Sequence, residues 1–291
     1  MTAMQGYLAA LTILRDAVDA LETPCLHEQS VKLRPSYWGE QRVLYSVPLS
    51  RQPSRVLTER LEALLTQWQM PAVDQQQVLS GPDDDAAGKQ PLHYLHLGLE
   101  GDRCKVYWEY PLPSSAAEAG ERHVQYRAWK WRPGQTRAAQ SEYVLLPTAT
   151  SARGAIRQQL ELLPPLVADL VEQLEISTAL MQHPWPPMTV RIEEAQAGNA
   201  TPRDSINLHM HQSRLPLGTI AGLLMALARD WQSAPRDTLV QWMVQHGNQM
   251  LGNVSFGLGG DRQPFFTCYY AGQRLAGQRR SVPNDNLSPT R

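Results

Sequence analysis

The chain has 291 residues, 42% of them hydrophobic, enough to bury a large core as one big domain or two modest ones, and it is no small stapled scaffold. Its 27 lysines and arginines nearly balance 28 aspartates and glutamates, which removes the broad basic field of a nucleic-acid binder and makes any anion site local. The three cysteines, Cys25, Cys104 and Cys268, are odd in number and lack metal-type spacing, so a reducing cytoplasm is expected and no zinc site is.

In chain order, Tyr7 to Leu21 reads as an amphipathic helix closed by Pro24. Arg15, Asp16 and Asp19 interrupt its apolar run, which argues against a signal peptide or membrane span and for a soluble protein. Val31 to Arg34 is a short extended piece, and Arg42 to Leu49 (RVLYSVPL) is a strand rich in β-branched and aromatic residues. Leu57, Leu61, Leu64, Leu65 and Trp68 then fall on one helical stripe that stops before Pro71. Ser80 to Gln90 is a polar loop. Its triple aspartate, Asp83 to Asp85, resembles a magnesium–diphosphate ligand set, but it sits among Gly and Pro with no second acidic motif, so it reads as solvated.

His93 to Tyr110 forms a hairpin turning at Glu100 to Asp102, and its second half, RCKVYWEY, organises the rest. Alternation puts Arg103, Lys105, Tyr107 and Glu109 on one face and Cys104, Val106, Trp108 and Tyr110 on the other. A face with cations at every second position is a poor core and suits a cavity that holds an anion. Val124 to Trp131 and Glu142 to Leu146 are two further strands. Helix follows from Thr148 to about Met181, broken at Pro164 and Pro165. After the HPWPP stretch come strands at Met188 to Glu193 and Ser205 to His211. Helices at Pro216 to Trp231 and Thr238 to Gln249 precede a last hairpin, Asn253 to Leu258 with Phe265 to Tyr270. Residues 1–271 read as one domain and 272–291, rich in Arg, Gly and Pro, as a flexible tail.

Two parts of the chain repeat. A shift of 163 lays Leu57, Leu61, Leu64 and Trp68 on Ile220, Leu224, Leu227 and Trp231; a shift of 159 lays Gly98, Leu99, Gly101, Asp102 and Arg103 on Gly257, Leu258, Gly260, Asp261 and Arg262. A strand, helix and hairpin unit used twice, with about ten strands in all, predicts an α+β fold whose antiparallel sheet closes into a barrel with its helices outside.

The order of these pieces resembles the aromatic prenyltransferases of the ABBA barrel type, in particular the dimethylallyltryptophan synthase group. LHLGLEGDRCKVYWEYP is similar to that family's strand pair with Lys105 and Tyr107 at its Lys and Tyr; VQYRAWKW resembles the next strand, with Arg127 and Trp129 at the cation and the aromatic. SINLHMH resembles a later strand through Asn207 and His209, PFFTCYYA the last through Tyr269, and LRPSYWGEQRVLYSVPL the first. The resemblance implies metal-independent transfer of a prenyl group from its diphosphate to an aromatic acceptor, in specialised metabolism, by a monomer or homodimer with no cofactor beyond the prenyl diphosphate co-substrate. It implies that Arg103, Lys105, Arg127, Asn207 and His209 bind the diphosphate and that Tyr107, Trp129 and Tyr269 shield the allylic cation.

The indole enzymes of that group place a Glu on the first strand, whereas VLYSV offers Leu44 and Tyr45, with Glu40 and Glu109 nearest; small aromatic, indole and peptide acceptors all stay open. Taken singly, Lys105 and Arg127 also fit surface ion pairs, and Trp129, Trp131 and Tyr269 fit core aromatics. His209 and His211 share a strand face as metal ligands can, without a third ligand in the pattern. A second reading is a non-catalytic, chaperone-like protein that holds a peptide or partner on its sheet. Convergence of Lys105, Arg127 and His209 into one cavity separates the two.

Overall fold

The computed structural model describes residues 3–49, 54–80, 92–114, 122–194 and 204–275. The triple aspartate at 83–85 and the expected tail beyond residue 275 lie outside the described residues. Ten strands form one closed antiparallel barrel: β1 (Cys25–Arg34), β3 (Arg42–Pro48), β4 (Tyr94–Glu100), β5 (Arg103–Glu109), β6 (His123–Trp131), β7 (Ala139–Leu145), β8 (Thr189–Glu194), β9 (Asp204–His209), β10 (Leu251–Leu258) and β11 (Pro264–Leu275). Each pairs with the next, and β11 returns to β1 from Leu33↔Phe266 to Cys25↔Leu275. A three-residue strand, β2 (Tyr37–Gly39), adds to the end of β1.

Closure follows from the side-chain pattern. Along each strand the apolar residues point outward and the polar ones inward, the reverse of a soluble barrel filled with its own core. Val43, Tyr45 and Val47 on β3, Leu95, Leu97 and Leu99 on β4, and Cys104, Val106 and Trp108 on β5 pack with Leu14, Leu61, Leu64 and Trp68 beneath α1 (Ala3–Asp19), α2 (Ser54–Gln67) and α3 (Ala72–Leu79). On the opposite side Val31, Leu33, Ile206, Leu208, Val254, Phe256 and Phe266 pack beneath α4 (Ala149–Leu160), α5 (Pro165–Leu180), α6 (Ala221–Asp230) and α7 (Arg236–His246). Two hydrophobic layers therefore lie between sheet and helices, and the lumen is left to charged and aromatic groups.

The sequence repeat is a structural repeat. Leu57, Leu61, Leu64 and Trp68 are buried against the sheet, as are Ile220, Leu224, Leu227 and Trp231. Both helices end in a left-handed residue at the same repeat position, Gln69 and Gln232, each with φ 51°. The carbonyl of each terminal tryptophan accepts a bond from elsewhere in the fold: Trp68 O from Trp131 Nε1 at 3.0 Å, and Trp231 O from Ser36 N at 2.8 Å. In the hairpins, a Cβ on Gly98 would come within 2.8 Å of Val43 O and one on Gly257, whose φ is +149°, within 2.4 Å of Asp204 O. These glycines let adjacent strands close on the barrel.

Three boundaries differ from the sequence reading. The first barrel strand is β1, starting at Cys25 rather than Val31, and not the Arg42 segment. Its mixed composition, CLHEQSVKLR, hides a two-residue period whose polar phase faces the lumen. The helix α3 falls on AVDQQQVL, where no apolar stripe announces it; it is held by tertiary bonds, Asp74 Oδ2 accepting from Ala138 N at 2.7 Å and Val78 O from Trp108 Nε1 at 3.2 Å. Strand β11 runs on to Leu275, so residues 272–275 belong to the barrel seam rather than to the tail.

Trp131 is completely buried in the outer layer and bonds α2 to β6. Replacing it by Ala should cost about 3–5 kcal/mol of stability, read as a lowered urea midpoint at pH 7.

Candidate active site

The lumen holds two chambers of about 310 Å³ each, one toward either end of the barrel. Strand geometry assigns side chains to them: residues near the start of β5 reach one chamber and those near its end the other. Arg103 and Lys105 line the first, Glu109 the second, and Tyr107 both.

The first chamber is cationic. Lys32 and Arg34 from β1, Arg42 from β3, Arg103 and Lys105 from β5 and Lys130 from β6 line it, with Glu100, Glu194 and Asp261 as its acids. Glu100 stands among three of these cations, paired with Arg42 and Lys105 and with Lys32 Nζ at 3.8 Å. Burial alone would raise its carboxyl, but Arg42, Lys105 and Lys32 hold it well below the ordinary carboxylate range. Burial and then Arg42 bring the Lys105 ammonium down to about 7, against the opposing pull of Glu100. Arg42 Nε also donates to Ser30 Oγ at 3.0 Å, and Lys130 Nζ to Ser141 Oγ at 3.3 Å. Six cations to three acids leave an excess of positive charge in a partly desolvated space, which an anion would relieve.

The second chamber is built from Glu28, Ser46, Tyr94, His96, Glu109, Tyr126, Asn207, His209, His211 and Asn253, with Leu26, Leu44 and Met188 as apolar walls. His96 is fixed from both sides, Ser46 Oγ lying 2.7 Å from Nδ1 and Glu109 Oε2 2.7 Å from Nε2. Burial, followed by His211 and His96, lowers His209 to about 3, so its imidazole is neutral; its ring stacks on Tyr126 at 5.9 Å. Burial raises Glu28 to about 7. Buried polar atoms here have no hydrogen-bond partner: Glu28 Oε1, Asn207 Oδ1, His209 Nε2 and Asn253 Oδ1. Such atoms are costly unless a bound molecule meets them.

Between the chambers stands a collar of three tyrosines, Tyr107, Tyr143 and Tyr269, each lining both. The rings of Tyr107 and Tyr143 meet edge to face at 5.8 Å, and Lys130 Nζ lies 5.5 Å from the Tyr143 centroid and 5.9 Å from that of Tyr107. Burial pushes the Tyr107 phenol well above its ordinary value, so it stays protonated.

Of the residues singled out from the sequence, Arg103 and Lys105 line the cationic chamber, and Tyr107 and Tyr269 belong to the collar. Asn207 and His209 also face the lumen, but across the collar from the cations. Arg127 and Trp129 do not face the lumen. Arg127 Nε bonds Glu142 Oε1 at 3.1 Å on the outer surface, and Trp129 is buried in the outer layer. The inward phase of β6 is Tyr126, Ala128 and Lys130, one residue out of step with the expectation, because the outer layer takes the two indoles Trp129 and Trp131. Lys32, Arg34, Arg42, Glu100, Lys130 and Tyr143 were not singled out, and neither was Glu28, which supplies a first-strand Glu where the sequence reading found none. The signal was the alternation of Leu26, Glu28, Ser30, Lys32 and Arg34. Among the described residues no group of three or more His, Cys, Asp or Glu is arranged to hold a metal ion, and no helix is long and apolar enough to cross a membrane.

No family model and no curated protein matches the sequence. Solved structures do match over nearly the whole chain. 5-Dimethylallyltryptophan synthase from Streptomyces coelicolor superposes with a TM-score of 0.58 at 13% identity, covering 94% of this chain and 93% of its own. 6-Dimethylallyltryptophan synthase from Micromonospora olivasterospora, in complex with DMASPP and Trp, gives 0.55 at 13% identity, covering 92% and 96%. PriB, in a binary complex with product diphosphate, gives 0.55 at 12% identity, covering 90% of each. The fold of this chain is therefore the helix-clad ten-stranded barrel of the ABBA type.

Neutralising Glu100 removes the common partner of Lys32, Arg42 and Lys105. Glu100→Gln should lose about 3–5 kcal/mol of stability in anion-free buffer. Sulfate or pyrophosphate should raise its melting temperature more than that of the parent; equal shifts would count against an anion site.

Proposed function

We propose that this chain transfers a prenyl group from a prenyl diphosphate to an aromatic acceptor, with the diphosphate in the cationic chamber and the acceptor in the other. The observation that supports this best is the meeting of a cation-rich and a polar, partly apolar chamber at a collar of three tyrosine rings within one lumen. Of the three residues set to discriminate, Lys105 and His209 face this lumen from its two chambers and Arg127 lies outside it; the inward pair supports an enzyme over a protein that binds partners on its sheet surface.

In this reading the donor's C–O bond breaks as pyrophosphate departs, and its growing negative charge is met by Arg42, Lys105, Lys130 and Arg103. Fixed cations are worth most where water is excluded. The allylic cation left behind lies against Tyr107, Tyr143 and Tyr269, whose π faces attract it and keep water away. The acceptor attacks from the other chamber, forming the new bond to the allylic carbon, and the proton it then loses passes to the carboxylates and imidazoles there. The protein's own cations take the part that a metal would play on the diphosphate, so the reaction is metal-independent.

Purified protein incubated with dimethylallyl diphosphate, EDTA and a panel of aromatic acceptors should yield singly prenylated product by mass spectrometry. Arg42→Ala and Lys105→Ala should each reduce turnover by about 10²–10³-fold, while Arg127→Ala, on the outer surface, should stay within about twofold of the parent. Loss of activity in EDTA, or an Arg127→Ala effect as large as that of Lys105→Ala, would sink the assignment.

Lys105 also sets a pH dependence. Its ammonium, brought down to about 7 by burial and Arg42, must be protonated to bind an anion well. Affinity for sulfate, whose charge is constant over this range, should fall as pH rises from 7 to 9, by at most about tenfold per unit, and Lys105→Met should flatten the profile.

A further inference from the structure

The lumen's lysines and arginines are confined to one end. Its lysines and arginines, Lys32, Arg34, Arg42, Arg103, Lys105 and Lys130, all line the donor chamber. Among the described residues none lines the acceptor chamber, which instead carries two carboxylates, Glu28 and Glu109. Resting on the prenyl-transfer reading, we infer that the acceptor is an aromatic amine without a carboxylate, its ammonium set against Glu109 and its other N–H donors against Glu28 and Asn207.

The geometry supports each part. Glu109 is held by His96 through Oε2, while its other oxygen, Oε1, has His93 Nδ1 at 3.7 Å, beyond hydrogen-bond reach. That oxygen can take a ligand donor. Glu28 is 7% exposed and Asn207 8% exposed, and each has an oxygen without a hydrogen-bond partner. His211 Nε2, at 3.7 Å from Glu28 Oε1, does not satisfy it. Asn207 Oδ1 is an acceptor, and Glu28 Oε1 is one in the ionised form that a bound cationic donor favours, so a molecule that donates hydrogen bonds meets both. A carboxylate brought here would face Glu28 and Glu109 with no lysine or arginine opposite, whereas an ammonium gains a charged partner in Glu109. The apolar walls Leu26, Leu44 and Met188 and the ring of Tyr126 accommodate the aromatic part.

The test is calorimetric titration of the full chain, with and without pyrophosphate, using tryptamine, 3-ethylindole, tryptophan and indole-3-propionate, and tyramine as a second ring system. Tryptamine or tyramine should bind at least about tenfold more tightly than either carboxylate-bearing indole and more tightly than 3-ethylindole. Glu109→Gln should remove most of the amine's advantage over 3-ethylindole while leaving pyrophosphate affinity unchanged, and a melting curve would confirm that the variant is folded. Tryptophan or indole-3-propionate binding as well as the amines, or no binding by either amine, would overturn the inference. Failure of pyrophosphate to bind is a separate result: it refutes the donor site, while the amine titrations without pyrophosphate still decide the chamber's preference.

Discussion

Everything in this fold depends on the two-residue period of the strands and on which phase is apolar. Ten consecutive strands present their apolar phase outward, to helices, and their polar phase inward. Burying a leucine such as Leu95 or Leu208 against a helix is worth roughly 1.5–3 kcal/mol, and dozens of such contacts in the outer layers carry the stability. The lumen is thereby relieved of the duty to be a core. It can hold cations, acids and unpaired acceptors that would be intolerable in an ordinary interior.

That freedom is used unevenly along the barrel axis. At one end Glu100 holds Arg42, Lys105 and Lys32 together, so the cations are positioned before an anion arrives and pay little reorganisation when it does. At the other end two carboxyl groups, Glu28 and Glu109, line the lumen with no described lysine or arginine beside them. The tyrosine collar between them is the place where opposite chemical demands meet, and two of its rings, Tyr107 and Tyr143, are held edge to face. Likeness to prenyltransferase barrels establishes the architecture, and this distribution of charge supports the proposed chemistry.

Much of the site was legible where one strand phase was unambiguous. In RCKVYWEY the outward phase, Cys104, Val106 and Trp108, is wholly apolar or aromatic and the inward phase carries the charges, so Lys105 and Tyr107 are placed from the alternation alone. In VQYRAWKW both phases carry a cation and an aromatic. Arg127 with Trp129 competes with Lys130 with Tyr126, and the decision rests on the outer layer's need for Trp129 and Trp131, which no local pattern states. Strand β1 is legible only in its last part, Val31 to Arg34, and Glu28 lies in the part left unassigned.

The sequence by itself determined the α+β class, the helix stripes, the duplicated unit and the inward face of β5, because these follow from periodicities of two and 3.6 residues within single segments. Tertiary structure alone decided which strands adjoin across the seam, that β1 and β11 close the barrel, and that Asn207 and His209 stand apart from the cations. It also gathered Lys32, Arg42, Glu100 and Lys105 from four strands into one cluster. Such choices depend on residues far apart in the chain competing for the same space and charge, and no segment read alone contains that competition.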